Sequence, residues 1–252
     1  LIPHGIAMIL YGCIANVSIG DLFISGIGVG LLLCVSMMIL VRFVSKKRGY
    51  APMRTTKVSG KEFVSALKPA ILPLLLPIII IGGIRIGVFT ATEAGAVSIV
   101  YAVLLGFFYR EMHWADLKQG FKETVCTTSS IMLIVAAAGV FSWVLTKERI
   151  PQQLTEWIVS TIDNKYVFLL IVNIFLLIVG MFIEGNASMI ILVPLLHPIA
   201  REYGINEIQF AMTYIFNNAI GALSPPMGTL MFVTCGITGC KTGRFIKEAI
   251  PF

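Results

Sequence analysis

Four stretches of the chain carry no charged residue over membrane-spanning length: residues 22–41, 124–146, 166–183 and 208–240. A bilayer's hydrocarbon core takes about 20 helical residues to cross, and inside it every backbone N–H and C=O must be bonded within the protein. The chain is therefore read as an all-α polytopic membrane protein. Composition agrees: 57% hydrophobic and 13% charged residues, with a mean hydropathy of +0.91, exceed what a soluble domain needs. Cys13, Cys34, Cys126, Cys235 and Cys240 show no metal-ligand or redox spacing and are read as small packing residues.

Charge supplies the orientation. Eight basic residues lie between Arg42 and Lys68 against Glu62 alone, a net charge of +7 in a chain that totals +6. The positive-inside bias places that loop, residues 45–68, in the cytoplasm. It is short and hemmed in by spans, which argues for a lipid bilayer and against nucleic acid as its neighbour. From there residues 69–86 head outward, the breakers in "GGIRIGVFTATEAG" interrupt them, and residues 94–109 return. Residues 124–146 cross out again. Residues 147–165 follow as a surface-lying amphipathic helix with Pro151 in its first turn. Trp114, Trp143 and Trp157 read as interfacial anchors, and His113 and His197 as interface or packing residues.

A single helix over residues 166–200 would be about 52 Å long, too long for one crossing of a core of about 30 Å. A re-entrant hairpin over 166–200, turning at Glu184-Gly185-Asn186-Ala187-Ser188, resolves the length. The 33 uncharged residues 208–240 pose the same problem, and Pro225-Pro226 breaks that helix at 223–228. Two half-helices then cross with an unwound middle. Such free backbone is tolerated at membrane depth only where protein or a wet cavity satisfies it. That combination points to a binding site.

Half-helix carboxyl ends offer carbonyls to Na⁺, and half-helix amino ends favour an anionic group. Gly185, Asn186, Ser188, Asn217, Asn218, Ala222, Ser224, Pro225 and Thr229 are the candidate substrate- and ion-binding residues. Their neutral hard oxygens suit Na⁺, which is assigned to Asn186, Ser188 and Ser224. The alternative for these small polar residues is interhelical hydrogen bonding. Glu184 either assists the ion or only orients the turn. Arg85, Thr92 and Glu93 are supporting candidates, read first as structural.

The motifs "GVFTATEAGA", "FIEGNASMIILVPLLHPIA" and "AIGALSPPMGTLMFV", in that order, resemble the large membrane subunit of tripartite ATP-independent periplasmic (TRAP) transporters. So do "LYGCIANVSIGDLFISGIGVGLLL" and "GRFIKEAIPF", and the resemblance covers essentially the whole chain. It implies an ion-transporter fold of two inverted repeats, each with a hairpin and a broken helix. By that correspondence Pro3 matches Pro225, so residues 1–44 end the first repeat and residues 69–252 form the second. His4 departs from the pattern, where a second proline is usual. The first hairpin and a last helix would then be missing, and the chain, opening inside an apolar segment without an initiator Met, reads as a fragment. The resemblance further implies import of an organic acid, of dicarboxylate or sialic acid type, by Na⁺ symport without ATP in the bacterial inner (cytoplasmic) membrane. The implied partners are a periplasmic substrate-binding protein, a small four-helix membrane subunit and the amino-terminal half of the same large subunit. An elevator movement is implied as well, with no organic cofactor.

Two other function classes compete. A membrane-embedded enzyme such as an intramembrane protease requires an activated nucleophile or a facing acid pair, and the sequence offers only the isolated Glu184 and Glu93, no Asp in the apolar runs and no Ser with a plausible base. An ion channel would not by itself call for a hairpin paired with a broken helix.

Overall fold

Where the apolar sequence meets glycine, proline or a capping side chain, the helices stop. The computed structural model describes residues 5–50, 59–226 and 228–250, the side chains of Ser142 and Thr229 excepted. Pro3 and His4, Arg54 and Lys57, and the side chain of Thr229 lie outside the described residues. The elements are α1 (Ile6–Ala15), α2 (Ile19–Arg48), α3 (Gly60–Arg85), α4 (Ala91–Phe108), α5 (Trp114–Lys147), α6 (Ile150–Thr161), α7 (Lys165–Phe182), α8 (Gly185–Glu202), α9 (Glu207–Gly221), α10 (Thr229–Thr238) and α11 (Thr242–Ala249). No strand occurs among the described residues. Helices α2, α3, α4, α5 and α7 are long and apolar enough to cross a membrane. They turn large apolar side chains outward, Leu32, Phe43 and Leu133 among them. Outward-facing apolar surface on helices that bond their own backbone is what lipid requires. The protein is a multi-pass membrane protein.

Three helices extend further into charged sequence than the uncharged runs predict. α2 continues through Lys46, Lys47 and Arg48, α3 begins at Gly60, ahead of Lys61 and Lys68, and α5 begins at Trp114, ten residues before 124. The physical reason is that the length limit applies only to the hydrocarbon core. Beyond it Lys and Glu are good helix formers, and long basic side chains reach water from a helix end.

The chain divides into two compact units, Leu1–Leu31 with Thr128–Phe252, and Leu32–Thr127. In the second, α3 packs on α4. α3 contains Pro69, Pro73 and Pro77 at four-residue spacing. Pro73 has no N–H to offer the Pro69 carbonyl, and the Tyr109 hydroxyl donates to that oxygen instead, at 2.9 Å. Tyr101 donates to the Leu72 carbonyl at 2.8 Å. Tyr101 of α4 and Tyr109, its C-cap, thus supply α3 with donors along its proline series. Between the helices Phe89 lies against Gly83, where a Cβ would come 2.2 Å from its ring.

In the first unit α7 packs along α9, α8 packs against α1, α6 and α9, and the buried core includes Tyr11, Leu22, Phe168, Met189, Phe210 and Tyr214. Pro151 stands in the first turn of α6. The open ends of the α7–α8 hairpin meet: Tyr203, which closes α8, donates to the carbonyls of Ile162 (2.6 Å) and Ile158 (3.2 Å) and stacks on Phe168 in the first turn of α7. Both arms therefore leave the hairpin on the same side. Gly204, at φ +66°, turns the chain out of α8, and the Asn206 side chain caps α9 by accepting from Ile208 and Gln209.

A local plan recurs. α1 and α10 each have ten residues, each is closed by a residue in the left-handed region (Asn16 at φ 54°, Gly239 at φ 67°), and three residues separate each from the next helix. Beside the second of these turns the Cys235 and Cys240 sulfurs lie 3.5 Å apart.

Candidate functional site

The hairpin tip is made by a carboxylate. α7 ends at Phe182, Ile183 is extended, and Glu184 becomes the N-cap of α8. Its carboxylate accepts from the Ala187 N–H at 3.0 Å and from the Asn186 side-chain amide at 2.9 Å. The first N–H groups of a helix lack intrahelical partners and carry partial positive charge, so an acid at this position is stabilising. Here the glutamate orients the turn, and Asn186 is folded back onto it.

Gly185 and Ser188 face α9. The Asn218 side chain donates to the Gly185 carbonyl at 3.0 Å, and a Cβ on Gly185 would stand 2.6 Å from that amide nitrogen. The Ser188 hydroxyl, only 3% exposed, donates to the Gly185 carbonyl at 3.1 Å and lies 3.3 Å from the Tyr214 hydroxyl. One turn of α9 beyond Asn218, the backbones of α7 and α9 touch. A Cβ on Gly221 would come 2.6 Å from Gly180 Cα, and one on Gly180 would come 3.0 Å from Gly221 Cα. This crossing pins the end of α7 to the end of α9.

There α9 stops and the chain unwinds as expected from the two prolines. Ala222 donates to Asn218 O, Leu223 to Ile220 O and Ser224 to Gly221 O, and the Pro225–Pro226 peptide that follows is cis. α10 starts at Thr229, and the Leu230 N–H is tied back to the Ala222 carbonyl at 3.1 Å. Buried Gly228 passes so close to the preceding segment that a Cβ would meet the Ser224 and Ala222 carbonyl oxygens at 2.6 and 2.8 Å.

The candidate residues thus separate by orientation. Gly185, Ser188 and Asn218 converge, with Ala222 bonded to the Asn218 backbone. The Ser224 hydroxyl is turned back onto Ile220 O, in the last turn of α9, at 3.0 Å. Asn217, 3% exposed, points elsewhere, to Asn173 of α7 and, at 2.8 Å, to Thr213 O, so it ties helices together. Arg85, Thr92 and Glu93 belong to the other compact unit. Arg85 ends α3, the Thr92 hydroxyl lies 3.4 Å from that of Thr90, and Glu93 forms a capping box with Thr90, whose N–H and hydroxyl both donate to it at 2.8 Å. Among the described residues no cluster of three or more His, Cys, Asp or Glu forms a metal site. Beside the Glu184 carboxylate, the oxygens at the tip and break are those of amides, hydroxyls and backbone carbonyls. Gly180, Gly221, Asn173 and Tyr214 were not singled out by the sequence reasoning. Their signals were small residues at the ends of apolar helices and a Tyr one helical turn before Asn218.

His197 is buried on α8. Its Nδ1 lies 2.9 Å from the Tyr11 hydroxyl, and its Nε2 is buried without a partner. An open cleft lies at the α8–α9 link, lined by Ser18, Asp21, Arg201, Asn206 and Glu207, with Arg201 and Glu207 paired at 2.9 Å.

The family described as the DctM component of the tripartite ATP-independent periplasmic transporters matches residues 1–252. The chain belongs to this family. It is 43% identical, over its full length, to the sialic acid TRAP transporter large permease protein SiaM of Vibrio cholerae, and covers 58% of that protein. To the C4-dicarboxylate TRAP transporter large permease protein DctM of Pseudomonas aeruginosa it is 39% identical, again over its full length and across 59% of the relative. A third relative, the isethionate TRAP transporter permease protein DctMQ of Oleidesulfovibrio alaskensis, is 32% identical and is covered over 40% of its length. The chain therefore spans less than two thirds of these relatives. Membership places it among transporter permeases and not among enzymes, which sets aside the intramembrane-protease alternative.

Proposed function

We propose that the chain forms part of the large permease subunit of a Na⁺-coupled secondary transporter that imports an organic acid across the bacterial inner membrane. A periplasmic binding protein delivers the acid, and a small four-helix membrane subunit and the rest of the large subunit complete the machine. One observation carries this reading: the hairpin tip and the helix break are held together by the Asn218–Gly185 hydrogen bond and the Gly180–Gly221 backbone contact.

The chemistry of that junction divides by helix polarity. The carboxyl end of α9 presents carbonyls, and with the Ser188 hydroxyl and the Asn186 and Asn218 amide oxygens these suit Na⁺. The amino end of α8 is already capped by Glu184, whereas α10 has Gly228 as its N-cap and no side-chain cap. A substrate carboxylate is therefore assigned to the amino end of α10. The relatives named for sialic acid, C4-dicarboxylate and isethionate support an anionic substrate. The same contacts make the hairpin and the broken helix one piece, as an elevator step requires. The recurrence of the α10–α11 plan in α1–α2 supports two related repeats.

Sidedness follows from charge. Lys46, Lys47 and Arg48 close α2 and belong in the cytoplasm. With residues 69–86 heading outward, 94–109 returning and 124–146 crossing out again, the open ends of the hairpin face the periplasm and the tip re-enters the bilayer. Single cysteines at Val167 and Arg201 in a cysteine-free full-length permease are expected to label with a membrane-impermeant thiol reagent from the periplasmic side only. Labelling of the two from opposite sides would refute re-entrance.

For the ion site, Ser188→Ala and Asn186→Ala are expected to raise the Na⁺ concentration for half-maximal uptake by about three- to tenfold, the effect of one lost oxygen contact, with normal expression. Uptake measured against Na⁺ in proteoliposomes checks this. An unchanged Na⁺ curve in both variants, with transport intact, removes the assignment.

A further inference from the structure

We propose that Tyr214 is a positioning residue for the hairpin tip: its hydroxyl sets the rotamer of Ser188, and Tyr11 and His197 in turn hold the Tyr214 ring. The proposal rests on the reading of Ser188 as a Na⁺-facing group.

A serine one turn into a helix has staggered rotamers to choose among. The one observed donates to the Gly185 carbonyl, three residues back, at 3.1 Å. With its proton there, Ser188 can only accept from Tyr214, so at 3.3 Å the tyrosine is the donor. That contact occupies one lone pair of the serine oxygen and leaves the other for a cation. A buried tyrosine hydroxyl needs a hydrogen-bond partner, and Tyr214 is fully buried at 0% exposure. The demand is therefore mutual.

The ring has little freedom to move. The Tyr11 ring lies 6.0 Å away, centroid to centroid, and Tyr11 is itself fully buried with its hydroxyl 2.9 Å from His197 Nδ1. The His197 ring packs edge-on to Tyr11 at 5.8 Å and against Phe210 at 6.4 Å. Three helices, α1, α8 and α9, thus converge on one phenol. On α9 Tyr214 precedes Asn218 by one turn, so a single helix face holds both the Gly185 carbonyl and the Ser188 hydroxyl. A rotation of the serine away from this face would cost the ion an oxygen without disturbing the backbone.

The test uses the full-length permease, reconstituted with its binding protein and small subunit. Tyr214→Phe keeps the ring and removes the hydroxyl. It is expected to raise the Na⁺ concentration for half-maximal uptake by about three- to tenfold, the worth of one hydrogen bond, while the rate at saturating Na⁺ is retained. In the purified protein the Na⁺ concentration that half-saturates thermal stabilisation moves with it. In a Ser188→Ala background Tyr214→Phe adds nothing further. Tyr11→Phe deletes a hydroxyl of the same cluster that does not touch Ser188, and lowers thermal stability with the Na⁺ curve unmoved. A shift in Ser188→Ala with none in Tyr214→Phe overturns the positioning role and leaves the ion reading standing. Full additivity in the double variant, an equal shift in Tyr11→Phe, or failure of Tyr214→Phe to fold assigns Tyr214 to packing and overturns the proposal. No shift in Ser188→Ala removes the ion reading and this inference with it.

Discussion

Gly221→Ala in the full-length permease is expected to reduce uptake to background and to lower the unfolding temperature. The added methyl would stand 2.6 Å from Gly180 Cα and 2.8 Å from Gly180 C, both backbone atoms that cannot rotate aside. The two helices must separate, at a strain of about 2 kcal/mol or more. The separation also draws Asn218, one turn away on α9, from the Gly185 carbonyl at the hairpin tip. Gly180→Ala meets Gly221 Cα at 3.0 Å, a tight contact that a shift of a few tenths of an ångström relieves, so its loss is partial. Gly139→Ala on α5 meets nothing within 4 Å, leaves uptake unchanged and does not lower stability, with a gain of up to about 1 kcal/mol from helix propensity. Uptake and thermal unfolding of the three variants check the order. Wild-type uptake in Gly221→Ala would show that the backbone contact is not needed to hold the hairpin to the broken helix.

The two chain breaks at this junction were legible in the sequence because each rests on a local rule. Pro225 and Pro226 have no amide hydrogen, and a 35-residue apolar helix exceeds the bilayer, so a break and a turn were required before any packing was known. Directions of side chains are not local in this sense. Asn217 and Asn218 are neighbours in sequence and were equal candidates, yet successive helical residues point about 100° apart. One faces Asn173 and the other the hairpin tip. Which is which depends on how α9 is rotated against α7, and that is set by Gly180 and Gly221, 41 positions apart. Glu184 admitted two readings, and the position of the α8 start adds the local part: an acid one residue before a helix bonds its free N–H groups, as Glu184 does with Ala187. The helix ends beyond the membrane were misjudged for the reverse reason. Absence of charge marks the hydrocarbon core, and nothing in α2, α3 or α5 requires a helix to stop where the core does.

Gly228→Ala is expected to abolish uptake while leaving the protein in the membrane, because it acts on the geometry of the break and not on the transmembrane bundle. A Cβ there would meet the Ser224 carbonyl oxygen at 2.6 Å, the Ala222 carbonyl oxygen at 2.8 Å and the Leu223 carbonyl carbon at 3.1 Å. All three belong to the unwound segment, and Ala222 O also accepts from Leu230 at the start of α10. Relief requires these carbonyls to turn or α10 to withdraw, and either change removes the arrangement to which Na⁺ and the substrate carboxylate are assigned. On the same half-helix Gly236 has nothing within 4 Å of an added Cβ, so Gly236→Ala is expected to be tolerated and to gain up to about 1 kcal/mol from helix propensity. The pair separates a general intolerance of α10 to added side chains from a requirement at the break. Membrane insertion is checked by expression level and thermal unfolding, and function by Na⁺-driven uptake. Equal uptake in Gly228→Ala and Gly236→Ala would mean that the close approach of Gly228 to the Ser224 and Ala222 carbonyls has no part in transport.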